Sequence, residues 1–302
     1  MRLRTGLAVL PIVLVPLVAC APQDDSGTAS DDTTTSAPPA TGTSTASASP
    51  ANTCTPDQLN LKTAGQLTIG TDSPAYDPWF QDNDPSNGKG YESAVAYAVA
   101  EQLGFTDDQV TWVKVPFNNS YKPGEKDFDF DINQISITPE RAKVVDFSDG
   151  YYAAAQSVIA LEGSHIASAT SLADLSKYKL GAQTGTTSLT AIRDTIKPES
   201  DPAVFQSTSA AKQALLNHQV DGIVADLPTA FYITAAEIKN SKIVGQFQPV
   251  SGEQEEFGML FEKGNPLVTC VNQALAALTS AGTLDQLQQQ WLSNEVDVPV
   301  LQ

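Results

Sequence analysis

Histidine is almost missing from this chain: His165 and His218 are the only two in 302 residues, and neither neighbours a cysteine or the other histidine. That scarcity argues against a zinc centre and against a serine–histidine triad. Basic residues are scarce too, 17 Lys and Arg against 35 Asp and Glu, for a net charge of −18. A surface of that sign repels a phosphate backbone, so nucleic acid is not expected as a partner, and a soluble, self-repelling monomer is. The acid excess is spread along the chain, as on a solvated surface. Two further signatures are incomplete. Asp127-Phe128-Asp129-Phe130-Asp131 begins like a calcium loop, yet Ile132 stands where the loop needs glycine and Thr138 where it needs glutamate. The glycine turn Gln183–Ser188 lacks the Lys-Ser/Thr ending of a phosphate-binding loop. No metal and no cofactor is expected, and the length allows one large domain or two ordinary ones.

The one long apolar run, Leu7 to Val18, follows Arg2 and Arg4, is interrupted by Pro11 and Pro16, and ends at Ala19. It is too short to span a bilayer and reads as a secretory signal, 1–19. The ending Leu17-Val18-Ala19-Cys20 resembles the bacterial lipobox, which predicts lipidation of Cys20 and attachment to the outer face of a membrane. Residues 20–53 are almost entirely Ser, Thr, Ala, Pro, Gly and Asp, with nothing to bury. Such a tether has an r.m.s. reach on the order of 30 Å. With Cys20 taken, Cys54 and Cys270 are left as a candidate disulfide outside the cell, two separately buried thiols being the alternative.

Beyond the tether the pattern alternates strands and helices. Gln66–Thr71 reads as a strand ending in a glycine turn, and it opens onto a loop with Asp72, Tyr76, Trp79 and Phe80. Tyr76, between prolines, is the pocket candidate of the loop, whereas Trp79 and Phe80 suit a core equally well. Gly90–Gly104 is a helix with an i, i+4 apolar rhythm and Thr111–Val115 a strand, which together imply a parallel pairing. Asp127–Asn133 is expected as a strand running toward a site, with Asp131 or Asn133 facing it. Tyr151–Leu161 reads as one long strand. Lys179–Ala182, Gly222–Ala225 and Phe257–Glu262 are further strands, and helices are expected at Ser171–Tyr178, Leu189–Ile196, Ser209–Asn217, Leu267–Leu278 and Gly282–Leu292.

Three stretches carry chemistry. Ser136-Ile137-Thr138-Pro139-Glu140-Arg141 sets a guanidinium among hydroxyls, a fork that matches a carboxylate bidentately; an ion pair with Glu140 or Asp146 is the simpler role for it. Thr184-Gly185-Thr186-Thr187-Ser188 joins a strand to a helix start, where an anion finds N–H donors and hydroxyls; plain capping would select the same residues. Asp226 ends a buried strand just before Leu227-Pro228-Thr229, where it would cap a helix or receive an ammonium group.

Taken in order, Leu67-Thr68-Ile69-Gly70-Thr71-Asp72, Gly90-Tyr91-Glu92, Ser136–Ser148, the Thr184–Thr187 turn, Asp221–Ala230 and Glu256–Leu267 resemble the bacterial extracellular solute-binding proteins of family 3, the polar amino acid receptors of ABC importers. The resemblance covers roughly residues 67–292. It implies an α/β fold of the periplasmic-binding-protein kind (type II), two lobes joined by two hinge strands near Ala154–Val158 and Pro249–Glu253. The expected division is 54–155 with 251–302 for the first lobe and 156–250 for the second. It further implies an amino acid as ligand and an ABC permease as partner. Arg141 and donors around Ser136 would hold the α-carboxylate, with Thr186 and Thr187 approaching from the second lobe. Asp226 would take the ammonium group, and Tyr76 and Asp72 would contact the side chain. Phe130, Asp131 and Gln134 are bulkier or more polar than the family's usual small apolar residues, so with Trp79 and Asn133 they are expected to set specificity, weakly toward a polar or cationic ligand. The alternative is a dehydratase-like enzyme for a cyclic carboxylate on the same scaffold.

Overall fold

The computed structural model describes residues 54–249, 254–292 and 298–302. The expected signal and tether with Cys20, and residues 250–253 of the expected second hinge segment, lie outside the described residues.

The chain first builds β1 (Leu67–Thr71), α1 (Tyr91–Gln102), β2 (Val110–Lys114), α2 (Phe117–Ser120), β3 (Phe130–Asp131), α3 (Pro139–Ala142) and β4 (Val145–Ala154). It then crosses to β5 (Gln156–Leu161), α4 (Leu172–Leu175), β6 (Leu180–Gln183), α5 (Thr187–Ala191), β7 (Ala203–Phe205), α6 (Thr208–Leu216), β8 (Gly222–Asp226), α7 (Leu227–Tyr232) and β9 (Ser241–Phe247). It returns through β10 (Glu255–Glu262), α8 (Leu267–Ser280) and α9 (Thr283–Leu292). The result is two mixed sheets, β2-β1-β3-β10-β4 and β7-β6-β8-β5-β9, each flanked by helices. This is the two-lobed α/β fold expected from the sequence.

In each sheet the parallel strands come from strand–helix–strand crossovers and the antiparallel ones from the hinge connections. β1 pairs in parallel with β2 and β3, and β10 runs antiparallel to both β3 and β4. In the second sheet β6 is parallel to β7 and β8, while β5 is antiparallel to β8 and β9. A strand covered on both faces has no reason to alternate, and β1, Leu-Thr-Ile-Gly-Thr, is buried throughout.

Four differences from the sequence reading have physical causes. The run Tyr151–Leu161 is two strands, because the residues before Ala155 pair with β10 and those after it with β8 and β9. β3 is only two residues long. Just before it, the Asp129 carboxylate accepts from the N–H groups of Lys62 and Thr68; just after it, Gln134 turns left-handed with φ 47°. β9 was not expected at all. Finally, residues 298–302 pack on the second lobe, not the first. Leu301 donates to the Gln246 carbonyl, Leu172 donates to that of Gln302, and Leu301 is buried among Val158, Val224 and Phe247. Gly245 permits this: a Cβ there would lie 2.5 Å from Leu301 Cγ.

Cys54 and Cys270 form the expected disulfide, tying the start of the first lobe to α8. The core beneath it gathers Trp79, Tyr91, Tyr152 and Phe257 in edge-on ring contacts, with Phe130 near Phe261.

Candidate functional site

A cavity of about 70 Å³, room for on the order of five water-sized groups, lies where the carboxyl ends of β1 and β3 face those of β6 and β8. Ligands of open α/β sheets sit outside such strand ends. Its first-lobe wall is Asp72, Tyr76, Phe117, Asn133, Gln134 and Ser136; the second lobe contributes Gln183, Thr186, Thr187, Ser188, Thr208 and Asp226.

The lobes are closed on one another. The Tyr76 hydroxyl lies 3.1 Å from Ser209 Oγ, and Trp79 Nε1 donates to Thr229 Oγ1 at 2.9 Å. Ser136 Oγ is 3.2 Å from Thr187 Oγ1. Arg141, placed by the short helix that Thr138 caps, reaches across as well. One terminal nitrogen donates to the Ser136 carbonyl at 2.7 Å and the other to the Gly185 carbonyl of the second lobe at 2.9 Å. The guanidinium lies over the rings of Phe117 and Tyr121, 5.6 and 4.8 Å from their centroids. It is paired with neither Glu140 nor Asp146: the latter bonds Lys263 at 2.7 Å. Two bonds use two of a guanidinium's five N–H donors.

Asp226 is the N-terminal cap residue of α7 by position but its side chain makes no cap bond. Instead Oδ1 accepts from Gln156 Nε2 at 3.1 Å. The same nitrogen donates to Glu255 Oε2 at 2.9 Å, and Glu255 Oε1 accepts from Ser136 Oγ. The other end of the Gln156 amide accepts from Ser188 Oγ at 2.6 Å. Burial, then the neighbouring Glu255, raise Asp226 to about 8. Burial lowers the Arg141 guanidinium, opposed by Tyr121, Glu255 and Asp226.

A second buried acid stands behind the first-lobe wall. Glu92, in the first turn of α1, accepts from the Tyr151 hydroxyl and from both the backbone N–H and the side-chain Nε2 of Gln134. Burial raises it to about 7, against those three donors. Asp131 points to the opposite face of β3, toward Gly70, and among the described residues neither of its oxygens has a hydrogen-bond partner. Burial, with Glu92 and Asp72 adding to it, holds its carboxyl well above the usual range.

Of the residues singled out from sequence, Asp72, Tyr76, Asn133, Gln134, Ser136, Thr186, Thr187 and Asp226 therefore come together around one cavity. Arg141 stands behind Ser136. Trp79, Phe130 and Asp131 do not line the cavity: the first two are core side chains, and Asp131 is buried behind the wall. Thr186 Oγ1 is engaged locally, accepting from Leu189 N–H and donating to the Gln183 carbonyl, as simple capping predicts. Sequence reasoning missed Gln156, Glu255, Glu92, Phe117 and Thr208, and named Ser188 only as part of the anion-friendly turn. The only signal was, for Gln156, a polar residue in the middle of a largely apolar run and, for Glu255, an acid just before one.

Residues 67–294 match the family model of the bacterial extracellular solute-binding proteins, family 3. The chain belongs to that family. It is 30% identical over 217 residues to the ABC transporter glutamine-binding protein GlnH of Bacillus subtilis (strain 168), covering 70% of this chain and 76% of that one. Among solved structures it resembles the ancestral amino acid-binding protein AncCDT-1, a precursor of cyclohexadienyl dehydratase. The identity is 31%, the TM-score 0.63, and the match covers 76% of this chain and 95% of that one. It also resembles an ancestral arginine-binding protein bound to glutamine, at 30% identity and a TM-score of 0.64, with 76% and 98% covered.

Proposed function

We propose that this chain is the lipid-anchored, extracytoplasmic receptor of an amino acid importer, holding its ligand in the cavity between the lobes and handing it to an ABC permease. The observation that carries the reading is Asp226: a half-buried carboxylate on the cavity wall, uncommitted to capping its own helix and without an ion-pair partner among the described residues. It receives the ligand's ammonium group. Arg141 takes the α-carboxylate through donors beyond its two carbonyl bonds, with Thr187 opposite. Asp72, Tyr76, Asn133 and Gln134 surround the side chain. Because residues of both lobes touch the ligand, binding favours the closed state by its differential affinity, and the hinge at Ala155 absorbs the motion. Cys20 carries the acyl anchor. The glutamine- and arginine-binding proteins among its relatives make L-glutamine and L-arginine the first ligands to try.

The test is a thermal-shift and calorimetric screen of the purified, ligand-stripped protein against amino acids. A ligand at about a hundred times its Kd adds about 2.7 kcal/mol. For a chain of this size that is a rise of roughly 5–11 °C. Arg141→Ala is expected to abolish the shift at the same concentration. No response to any amino acid, or an equal response in Arg141→Ala, refutes the reading; turnover of a cyclic carboxylate would favour the dehydratase alternative.

A further inference from the structure

Glu255 was not foreseen, and it occupies an unusual place. It is the first residue of the strand that returns from the second lobe, it is 8% exposed, and it faces Asp226 across a single amide nitrogen of Gln156. Two carboxylates are thus held by one amide nitrogen, whose two N–H bonds serve one carboxylate each. Among the described residues neither carboxylate forms an ion pair with a lysine or arginine. A half-buried and a buried charge of one sign, facing each other without a paired cation, repel, and the least costly relief is a bound proton. The remaining charged groups around the pair are Arg141 from α3, which attracts both carboxylates from a distance, and Glu92 from α1, which repels Asp226. From α5 come Thr187 and Ser188, which are neutral; Thr187 Oγ1 is 3.4 Å from the shared nitrogen and Ser188 holds the Gln156 carbonyl oxygen.

We infer that Glu255 is the second carboxylate of the cation subsite: with Asp226 it retains one proton while the cleft is empty, and the ligand's ammonium group replaces that proton, which passes to the buffer. This rests on the reading of the cleft as an amino acid site. Glu255 acts through Gln156 and Ser136 rather than by touching the ligand, so it is a positioning residue. Its anionic form accepts from Ser136 Oγ, which then has no proton to donate to the ligand's carboxylate and serves it only by holding the wall. The level of about 8 for Asp226 agrees with a pair that keeps its proton at neutral pH. Charge is conserved at the site, one cation leaving as another enters.

The experiment is isothermal titration of the full folded chain with L-glutamine, and separately with L-arginine, at pH 6.0, 6.75 and 7.5, each in phosphate and in Tris. Buffers of different ionisation enthalpy report the protons released per ligand bound. The expected result is release approaching one proton at pH 6.75, and an affinity that tightens about tenfold per pH unit while the pair still holds its proton. In Glu255→Gln, which keeps an acceptor for Gln156 and removes the repelling charge, release is expected to fall by more than half and the pH dependence to flatten. Glu92→Gln, which leaves the pair intact, is expected to retain most of the release. Binding with no proton release in the wild-type chain overturns this inference alone, and that result needs no variant to fold. Release unchanged in Glu255→Gln overturns the role of Glu255. No binding of either amino acid at any pH overturns both this and the function on which it rests.

Discussion

A glycine stands where the second lobe meets the first, and replacing it should hold them apart. Gly185 has φ +76°, and a Cβ added there would fall under 3.0 Å from the Tyr121 hydroxyl and from Asn118 Oδ1, both on α2 or its end in the first lobe. Those two side chains already bond each other at 2.7 Å, so neither swings away without loss. In Gly185→Ala two effects separate. The left-handed backbone costs roughly 1–2 kcal/mol in open and closed states alike, a fall of about 2–8 °C in the melting temperature of the unliganded protein. The clash acts only on the closed state. It pushes the Gly185 carbonyl away from Arg141, and a hydrogen bond to a charged group contributes about 1.5–3 kcal/mol. Losing it weakens ligand affinity by roughly 10–150-fold, since closure and binding are one equilibrium. Titration calorimetry with the best ligand of the screen reads the affinity. Small-angle scattering with and without ligand reads the closure, as a radius of gyration that no longer falls on binding. Unchanged affinity together with an unchanged compaction would refute the claim that this turn limits closure.

Other perturbations follow from the same geometry. Thr229→Val removes the acceptor of the Trp79 indole across the cleft and leaves a buried N–H unmet only when the lobes are closed. It should weaken ligand binding by roughly 5–30-fold, an unmet donor costing about 1–2 kcal/mol, with little change in the unliganded melting temperature. Glu92 is raised from 4.5 to about 7 in the fold, so the native state holds the proton that the unfolded chain loses first. Stability is therefore greatest below pH 4.5 and falls as pH rises toward 7, by up to about 3 kcal/mol for this group. Melting curves across that window should show the decline, and Glu92→Gln should flatten it; an identical slope in the variant would exclude Glu92 as its source. Replacing Cys54 and Cys270 by alanine opens a loop closed across 216 residues. In the chain-entropy view that costs about 5 kcal/mol, and a melting temperature within a few degrees of wild type would contradict it.

Much of this fold was legible because strands covered on both faces read as unbroken apolar runs and helix α1 keeps a clear i, i+4 rhythm. What escaped was the information that lives between segments. Tyr151–Leu161 has one apolar pattern, and only pairing with two different sheets divides it at Ala155. β9, Ser-Lys-Ile-Val-Gly-Gln-Phe, is half polar because it is an edge strand, so the pattern alone did not mark it. The cavity wall was foreseen where an acid ends or follows a strand, as at Asp72 and Asp226, and at the Ser136 hydroxyl upstream of the arginine. It was missed where a residue matters through a neighbour: Glu92 reaches the wall by gripping Gln134, and Gln156 and Glu255 reach it through Asp226 and Ser136. Phe130 and Asp131 failed as wall residues because a two-residue strand in the middle of the sheet leaves both its side chains covered, one by the α1 core and one by the opposite face.

Charge gives a reason to favour an amino acid over a simple carboxylate in this cleft. Asp72 and Asp226 line it, while Glu255, Glu92 and Asp131 stand behind, and Arg141 is the guanidinium set against them. Two unit charges about 4 Å apart interact by about 4 kcal/mol at the effective dielectric of a half-buried site. A molecule bearing only a carboxylate gains that attraction at Arg141 but brings its charge toward an Asp226–Glu255 pair it does nothing to neutralise. A zwitterion gains at both ends, and its ammonium group replaces the proton that the pair otherwise retains. On the proposed reading the arginine alone, which fits any carboxylate, would therefore be the less selective half of the site, and the paired acids on the hinge side would carry the discrimination.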